Sequence, residues 1–189
     1  MDDHDRVFNS ARHGSIWYDS HPSTRRHLAS DPYSLLIFID RDIRHRYHLI
    51  PVHHQASWAV LCQTTSRFNR AHFLPRYHVQ SIEVAELFAL AQGLEVALEM
   101  VRAGSEVSRV VFCTHSQLLM DRICTEAWII DQASWPPRVA GELVEWIHVL
   151  HDCHLMIQAL IYGRGVAVDF WHAPISDLVE THGLLEHFL

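Results

Sequence analysis

The side chains of this sequence that could carry chemistry are carboxylates and histidines rather than cysteines. Asp40 ends a short apolar run, SLLIFID, and a carboxylate in that place either contributes to a functional site or is simply solvated. The 17 histidines could make the charge of the protein sensitive to mild acid. The four cysteines stand singly without a CxxC pair, and Cys62 and Cys113 lie inside apolar runs. We therefore expect reduced thiols in the core, not a disulfide framework or a zinc site.

Length and composition are those of one globular domain. The chain has 189 residues, of which 49% are hydrophobic and 20% are charged, and this length allows one sizeable core. No apolar run approaches the roughly 20 residues that span a bilayer, and the N-terminus lacks the apolar segment of a secretory signal. We therefore expect an intracellular protein, cytoplasmic or nuclear, with no membrane partner. The net charge of −7 points away from nucleic acid, because nucleic-acid binding usually relies on a basic excess that neutralises phosphates.

Short apolar runs predict a sheet of five strands. We interpret residues 1–30 as a loosely ordered N-terminal arm and residues 31–189 as the folded domain. Residues 34–40 form a continuous apolar run that is too short for a helix, which predicts a buried strand. Pro75 makes the third strand either an edge strand or a bulged one. The other predicted strands are residues 57–64, 71–79, 109–114 and 166–172.

The helices are predicted from apolar residues that recur three or four positions apart. Residues 81–101 show this spacing, which lines one face of a helix, and Gly104 is suited to end it. Further helices are predicted over residues 117–127, 139–162 and 178–189. The order β-β-β-α-β-α-α-β-α predicts an α/β fold with a mixed five-stranded sheet. Its first three strands would form an antiparallel meander, its later strands would join in parallel, and helices would cover both faces.

Three stretches of the sequence resemble the ribonuclease H type 1 family. LLIFID is similar to a family strand that ends in Asp-Gly, and SIEVAELFAL is similar to the helix start in which Ala-Glu-Leu supplies a second acid. VVFCTHSQ and VDFWHAPISDLVETH together resemble the strand-Thr-Asp-Ser-Gln segment and the closing Trp-x-x-Pro…Asn-x-x-Ala-Asp pattern. The likeness covers about residues 33 to 189. It implies an RNase H-like fold and an ancestor that hydrolysed the RNA strand of RNA–DNA hybrids.

The resemblance also implies a catalytic site, which this chain retains only in part. Family members hold two magnesium ions with four carboxylates, and the ions activate water and stabilise the leaving oxygen. Carried over by position, the first two acids are Asp40 and Glu86, a vestigial metal pair. His115 and His182 stand at the positions of the other two acids. Arg41 replaces the glycine that normally follows the first acid and places a long cation beside the metal position.

Losing two carboxylates should weaken magnesium binding by several orders of magnitude. A carboxylate about 4 Å from a unit charge gains roughly 4 kcal/mol at an effective dielectric of about 20, and imidazole suits zinc, copper, nickel or iron better than magnesium. The expected cofactors are therefore Mg²⁺ or Mn²⁺ if the protein is active and otherwise none. A two-histidine, two-carboxylate site for a transition metal is an alternative. Asp42 and Glu180 are neighbouring acids that could compensate, although Glu180 should point away from the site.

Three functions remain open on the sequence. The first is a pseudoenzyme with residual affinity for an RNA–DNA hybrid or structured RNA, for which Ser116, Gln117 and Trp135 are the candidate nucleic-acid contacts. The second is an active ribonuclease H that uses a reduced or altered metal site. The third is a protein-interaction scaffold, suggested by the acidic net charge and by an apolar C-terminal helix that carries Leu184, Leu185, Phe188 and Leu189.

Overall fold

The sheet has five strands, and its first long strand runs well past the predicted end. The structure, a computed structural model, describes residues 16–17, 26–46, 53–63, 66–127 and 145–188. Its strands are β1 (Ile16–Trp17), β2 (His27–Leu28), β3 (Ser34–Arg46), β4 (His53–Leu61), β5 (Arg70–Phe73), β6 (Arg109–Thr114) and β7 (Ala167–His172). The large sheet has the order β5-β4-β3-β6-β7. β3, β4 and β5 pair antiparallel, and β6 and β7 join in parallel.

The helices cover both faces of this sheet. They are α1 (Ile82–Arg102), α2 (Gln117–Asp121), which continues as a π-helical turn (Arg122–Glu126), α3 (Glu145–Arg164) and α4 (Val179–Phe188), which follows a 3₁₀ turn (Ile175–Leu178). Leu35, Ile37 and Ile39 of β3 pack in one cluster with residues of α1, α2 and α3. Leu36 and Phe38 pack on the opposite face with Leu178 and Leu184. The α/β class, the mixed sheet and the predicted order of elements are confirmed.

Several predicted boundaries are corrected by the structure. β3 does not end at Asp40, because residues beyond it continue to pair with β4, from Arg41 opposite Trp58 to Arg46 opposite His53. The predicted second strand was placed too late, since β4 begins at His53. β5 lies at the edge of the sheet as Pro75 predicts, but the strand ends at Phe73. The polar stretch after Asp40 carries no apolar alternation, so its strand was not detected.

The structure tests the prediction for the C-terminal helix more fully than the prediction for the N-terminal arm. Within the arm, β1 pairs with β2 in a two-stranded sheet. Residues 1–15 and 18–25 lie outside the described part, so the arm remains a prediction. In α4, Leu185 is fully buried against Ala59 and Ala71, and Leu184 is half-buried. Core packing therefore explains Leu184 and Leu185, two of the four apolar residues that had suggested a partner-binding helix, whereas the side chains of Phe188 and Leu189 lie outside the described part of the chain.

The four cysteines are free and buried, as predicted. Burial raises the pKa of the Cys62 thiol to about 12, which keeps it protonated and unreactive at neutral pH. Among the described helices, none is long and apolar enough to span a bilayer.

α1 approaches the sheet closely at Gly93, and this contact yields a prediction for stability. A Cβ at Gly93 would lie 3.0 Å from Phe112 Cε1 and 3.3 Å from Ile37 Cγ2. Gly93→Val should therefore lower the free energy of unfolding by about 1–3 kcal/mol through overpacking. Gly163→Ala is the control, because a Cβ there meets nothing within 4 Å, and it should be neutral or slightly stabilising. Urea unfolding would measure both, and equal stabilities of the two variants would contradict the close approach.

Candidate functional site

The four positions implied by the family resemblance come together where β6 ends beside the inner strand β3. Asp40 lies in β3, two residues beyond Phe38, the last residue that pairs with β6. His115 directly follows β6, and His182 lies in α4. His182 Nδ1 is 3.0 Å from Asp40 Oδ2, and His115 Nδ1 is 3.7 Å from Asp40 Oδ1. The two imidazoles therefore flank a carboxylate that is only 5% exposed.

Glu86 completes the group from the opposite side of β3. It lies in the second turn of α1 and is 5% exposed. Side chains alternate between the two faces of a strand, so Asp40 faces α4, and Arg41, on the face of Ile39, turns towards α1. Arg41 Nε donates to Glu86 Oε1 at 2.8 Å, and Ser116 Oγ donates to Glu86 Oε2 at 2.9 Å. Both oxygens of this buried carboxylate are therefore hydrogen-bonded to groups of the chain itself.

The Arg41 guanidinium is the cation at the centre of the site. Its Nη1 is 2.6 Å from His115 Nε2 and 3.9 Å from Asp40 Oδ1. A guanidinium can only donate, so His115 Nε2 accepts and the ring hydrogen resides on Nδ1. This Nδ1 is buried without a hydrogen-bond partner, because 3.7 Å to Asp40 is too long for a hydrogen bond. The sequence predicted a cation at this place but not its contacts with Glu86 and His115.

His115 is held neutral by its surroundings. Burial of the ring lowers its pKa below the ordinary value of 6.5, and the neighbouring Arg41 guanidinium lowers the pKa further. The carboxylates of Asp40 and Glu86 act in the opposite direction, and His172 adds to the lowering. The imidazole at this position therefore contributes a lone pair to Arg41 rather than a positive charge.

The residues in this arrangement do not fit the magnesium pair that the resemblance implies. Magnesium requires oxygen ligands in near-octahedral geometry. Here the Glu86 carboxylate is hydrogen-bonded to Arg41 and Ser116, and the Asp40 carboxylate is hydrogen-bonded to His182. The positive charge of Arg41 lies within 4 Å of both carboxylates. Within the described residues, no group of three or more His, Cys, Asp or Glu side chains is arranged to hold a metal ion. Asp40 and Glu86 as metal ligands remain a prediction from the sequence.

The two compensating acids are placed differently. Glu180 pairs with the buried Arg26, with 2.5 Å between Oε2 and Nη2. This ion pair directs the Glu180 carboxylate away from the site. Asp42 lies inside β3 rather than beyond it and is 3.7 Å from Arg44 Nε. Together with Glu186, Asp42 lines a groove of about 550 Å³ beside Asp40, whose wall also includes Arg41, His115 and His182.

The candidate nucleic-acid contacts fall in three different environments. Ser116 is buried, and its hydroxyl caps α2 by accepting from Leu119 N at 3.2 Å while it donates to Glu86. Gln117 is exposed, and its Nε2 donates to Asp121 Oδ1 on the same helix at 2.7 Å. Trp135 lies outside the described residues.

A contact of His172 with the site was also missed by the sequence reasoning. The His172 ring, through Nε2, is hydrogen-bonded to the backbone oxygen of His115 at 2.9 Å. His172 is the last residue of β7 and pairs with Thr114 at the end of β6. The shared end of the two predicted strands was therefore a signal that could have placed His172 beside His115.

Comparisons with known proteins identify the fold. Neither a family model nor a curated protein matches the sequence. A foamy viral protease–reverse transcriptase solved with dsDNA is similar over 82% of this chain and 90% of its own, with 13% identity and a TM-score of 0.55. The foamy viral protein solved with an RNA/DNA hybrid is similar over 81% of this chain and 19% of its own, with 12% identity and a TM-score of 0.53. LC9-RNase H1, a type 1 RNase H with the type 2 active-site motif, is similar over 82% and 69%, with 16% identity and a TM-score of 0.52.

These similarities establish a ribonuclease H-like fold for this chain. They confirm the resemblance found in the sequence at the level of the fold. At these identities the fold alone is shared, so the chemistry of the site has to be argued from its own residues.

The bond between Ser116 and Glu86 can be tested against a second serine cap. Ser81 caps α1 by accepting from Val84 N at 3.2 Å, which matches the cap that Ser116 provides. Ser81→Ala should lower the free energy of unfolding by about 1 kcal/mol. Ser116→Ala should cost about 1–2 kcal/mol more, because it also removes a donor from a buried carboxylate. Equal losses in urea unfolding would mean that the Ser116–Glu86 bond does not stabilise the protein.

The lowered pKa of His115 predicts a change of stability with pH. Below about pH 6.5 the unfolded chain binds a proton at this position that the folded protein does not, so acid lowers the stability of the folded state. His115→Gln removes this contribution and should flatten the decrease in unfolding free energy as the pH falls from about 7.5 to 5.5. His187→Gln, at an exposed position of α4, is the control. A steeper decrease in His115→Gln than in the parent protein would contradict the assignment.

Proposed function

We propose that this protein is a pseudonuclease that binds nucleic acid, an RNA–DNA hybrid or structured RNA, without cleaving it through metal ions. The observation that carries the proposal is the ion pair between Arg41 Nε and Glu86 Oε1 at 2.8 Å. It lies where the family resemblance expects two magnesium ions, with His115 and His182 at the positions of the missing acids. In this role the protein would act inside the cell, in the cytoplasm or nucleus.

The charge of the site supports binding without metal. Four carboxylates at this place would repel a phosphate until metal ions neutralised them. Two carboxylates and one guanidinium leave a single negative charge, and the neutral His115 adds none. A phosphate can therefore approach the site with less repulsion and without a bound cation. The solved foamy viral complexes with dsDNA and with an RNA/DNA hybrid suggest the class of ligand.

The acids in the groove set the expected strength of binding. Asp42 and Glu186 line the groove beside Asp40, and the whole chain carries a charge of −7. Both features oppose a polyanion, so we expect weak binding, with a dissociation constant of about 100 µM at physiological salt that becomes smaller as the salt concentration is lowered.

A cleavage assay and a binding assay on the same preparation test the proposal. Fluorescence anisotropy with a labelled RNA–DNA hybrid should show binding at low salt, and no RNA should be cleaved with Mg²⁺ or Mn²⁺. Asp42→Asn should tighten binding, because it removes a negative charge from the groove. Asp152→Asn, which removes the same charge on α3, outside that groove, is the control and should change binding less.

Each alternative outcome identifies a different function. Metal-dependent cleavage that Asp40→Asn abolishes would overturn the proposal in favour of an active ribonuclease H. Absence of binding to hybrid and to structured RNA at low salt would overturn it in favour of the scaffold.

The scaffold is supported by one observation in the groove. Ile175 and Val179 line its wall with 71% and 65% of their surface exposed, and large exposed apolar side chains beside acids suit a protein surface. For this second candidate, replacement of both residues by Asp should abolish capture of a partner by the intact protein while the fold is retained.

A further inference from the structure

We propose that Arg41 is what excludes transition-metal ions from this site, and that it would exclude Mg²⁺ even if the two lost acids were restored. Without its guanidinium, the side chains of Asp40, Glu86, His115 and His182 would bind a transition-metal ion such as Zn²⁺ or Co²⁺. The inference concerns the site alone, goes beyond the proposed function and does not depend on nucleic-acid binding.

The chemistry of the four side chains suits such an ion. Two carboxylates and two imidazoles are ligands that zinc and related ions accept, whereas magnesium requires oxygen. His182 Nδ1 already lies 3.0 Å from Asp40 Oδ2, and the lone pair of His115 is on Nε2, which faces Arg41. The replacement of two acids by histidine therefore changes which metal the site suits and does not by itself abolish a site.

The contacts of Arg41 involve every one of these side chains except His182. The guanidinium is bonded to Glu86 Oε1 and His115 Nε2 and lies 3.9 Å from Asp40 Oδ1. Its removal would free the lone pair of His115 Nε2 and one oxygen of Glu86 at the same time. It would also remove a positive charge about 4 Å from the incoming ion. At an effective dielectric of about 20 this corresponds to roughly 1,000-fold in affinity, which screening by solvent at this partly exposed side chain reduces to on the order of 100-fold.

The present arrangement of the site agrees with this assignment. In their present arrangement, the His, Cys, Asp and Glu side chains of the described residues form no group of three or more that could hold a metal ion. Glu86 is directed to the guanidinium instead. The parent protein should therefore bind Co²⁺ and Zn²⁺ no better at this site than at its other surface histidines.

Metal titration of the intact chain tests the inference. Arg41→Met keeps the length and apolar stem of the side chain and removes the charge. The variant should show the visible absorption of Co²⁺ bound by nitrogen and oxygen, displaced by Zn²⁺, with an affinity on the order of 100-fold above that of the parent protein. Bound Zn²⁺ should also raise its thermal midpoint by several degrees, because the ion binds the folded state.

Three controls separate this site from the other histidines. Arg41→Met/His115→Ala should lose the new absorption, and Arg41→Lys, which keeps a cation, should not acquire it. His115→Asp/His182→Asp, which restores both acids but retains Arg41, should remain without measurable affinity for Mg²⁺. The inference is overturned if folded Arg41→Met binds Co²⁺ no better than the parent protein. It is also overturned if the variant with restored acids binds Mg²⁺ despite Arg41, a measurement that stands even if Arg41→Met does not fold.

Discussion

The structure of this site depends on one interaction, the contact of the Arg41 guanidinium with the buried carboxylate of Glu86. An isolated carboxylate in the interior is strongly unfavourable unless it is paired or neutralised. At about 4 Å and an effective dielectric of about 20, the attraction to a unit positive charge is roughly 4 kcal/mol. Arg41 supplies that charge with its Nε at 2.8 Å. Ser116 donates to the other oxygen of Glu86, and His115 accepts from the guanidinium.

The fold makes this contact possible through the alternation of side chains along β3. Asp40 and Arg41 are neighbours in the chain but face opposite sides of the sheet. Asp40 therefore contacts His182 of α4, whereas Arg41 contacts Glu86 of α1. β6 ends beside them and delivers His115 and Ser116 from its carboxyl end. Four segments that are distant in sequence, β3, α1, the residues after β6, and α4, thus meet where β6 ends beside β3. This is where a ribonuclease H-like fold places its catalytic acids, according to the resemblance.

The sequence predicted the order of the elements and the residues that come together at the site, but not the contacts that these residues make. Apolar periodicity located α1 and β6, because both elements are buried along a face or along their whole length. It missed the second half of β3, where Asp42, Arg44 and Arg46 carry no apolar pattern although they pair with β4. The partner of Arg41 could not be read from its position, since reaching Glu86 depends on the direction of a side chain and on the approach of α1 at Gly93. Trp135 and much of the N-terminal arm lie outside the described residues.

The substitutions at the site make physical sense only as a set. Histidines at the third and fourth positions without Arg41 would leave Asp40 and Glu86 buried together without a cation, which is the costly arrangement that metal ions relieve in an active enzyme. Arg41 alongside four acids would in turn compete with the metal while leaving three negative charges. With two carboxylates, one guanidinium and a neutral His115, the hydrogen bonds and charges are nearly balanced by the chain itself. Such a site carries its own counter-ion and is stable without a ligand.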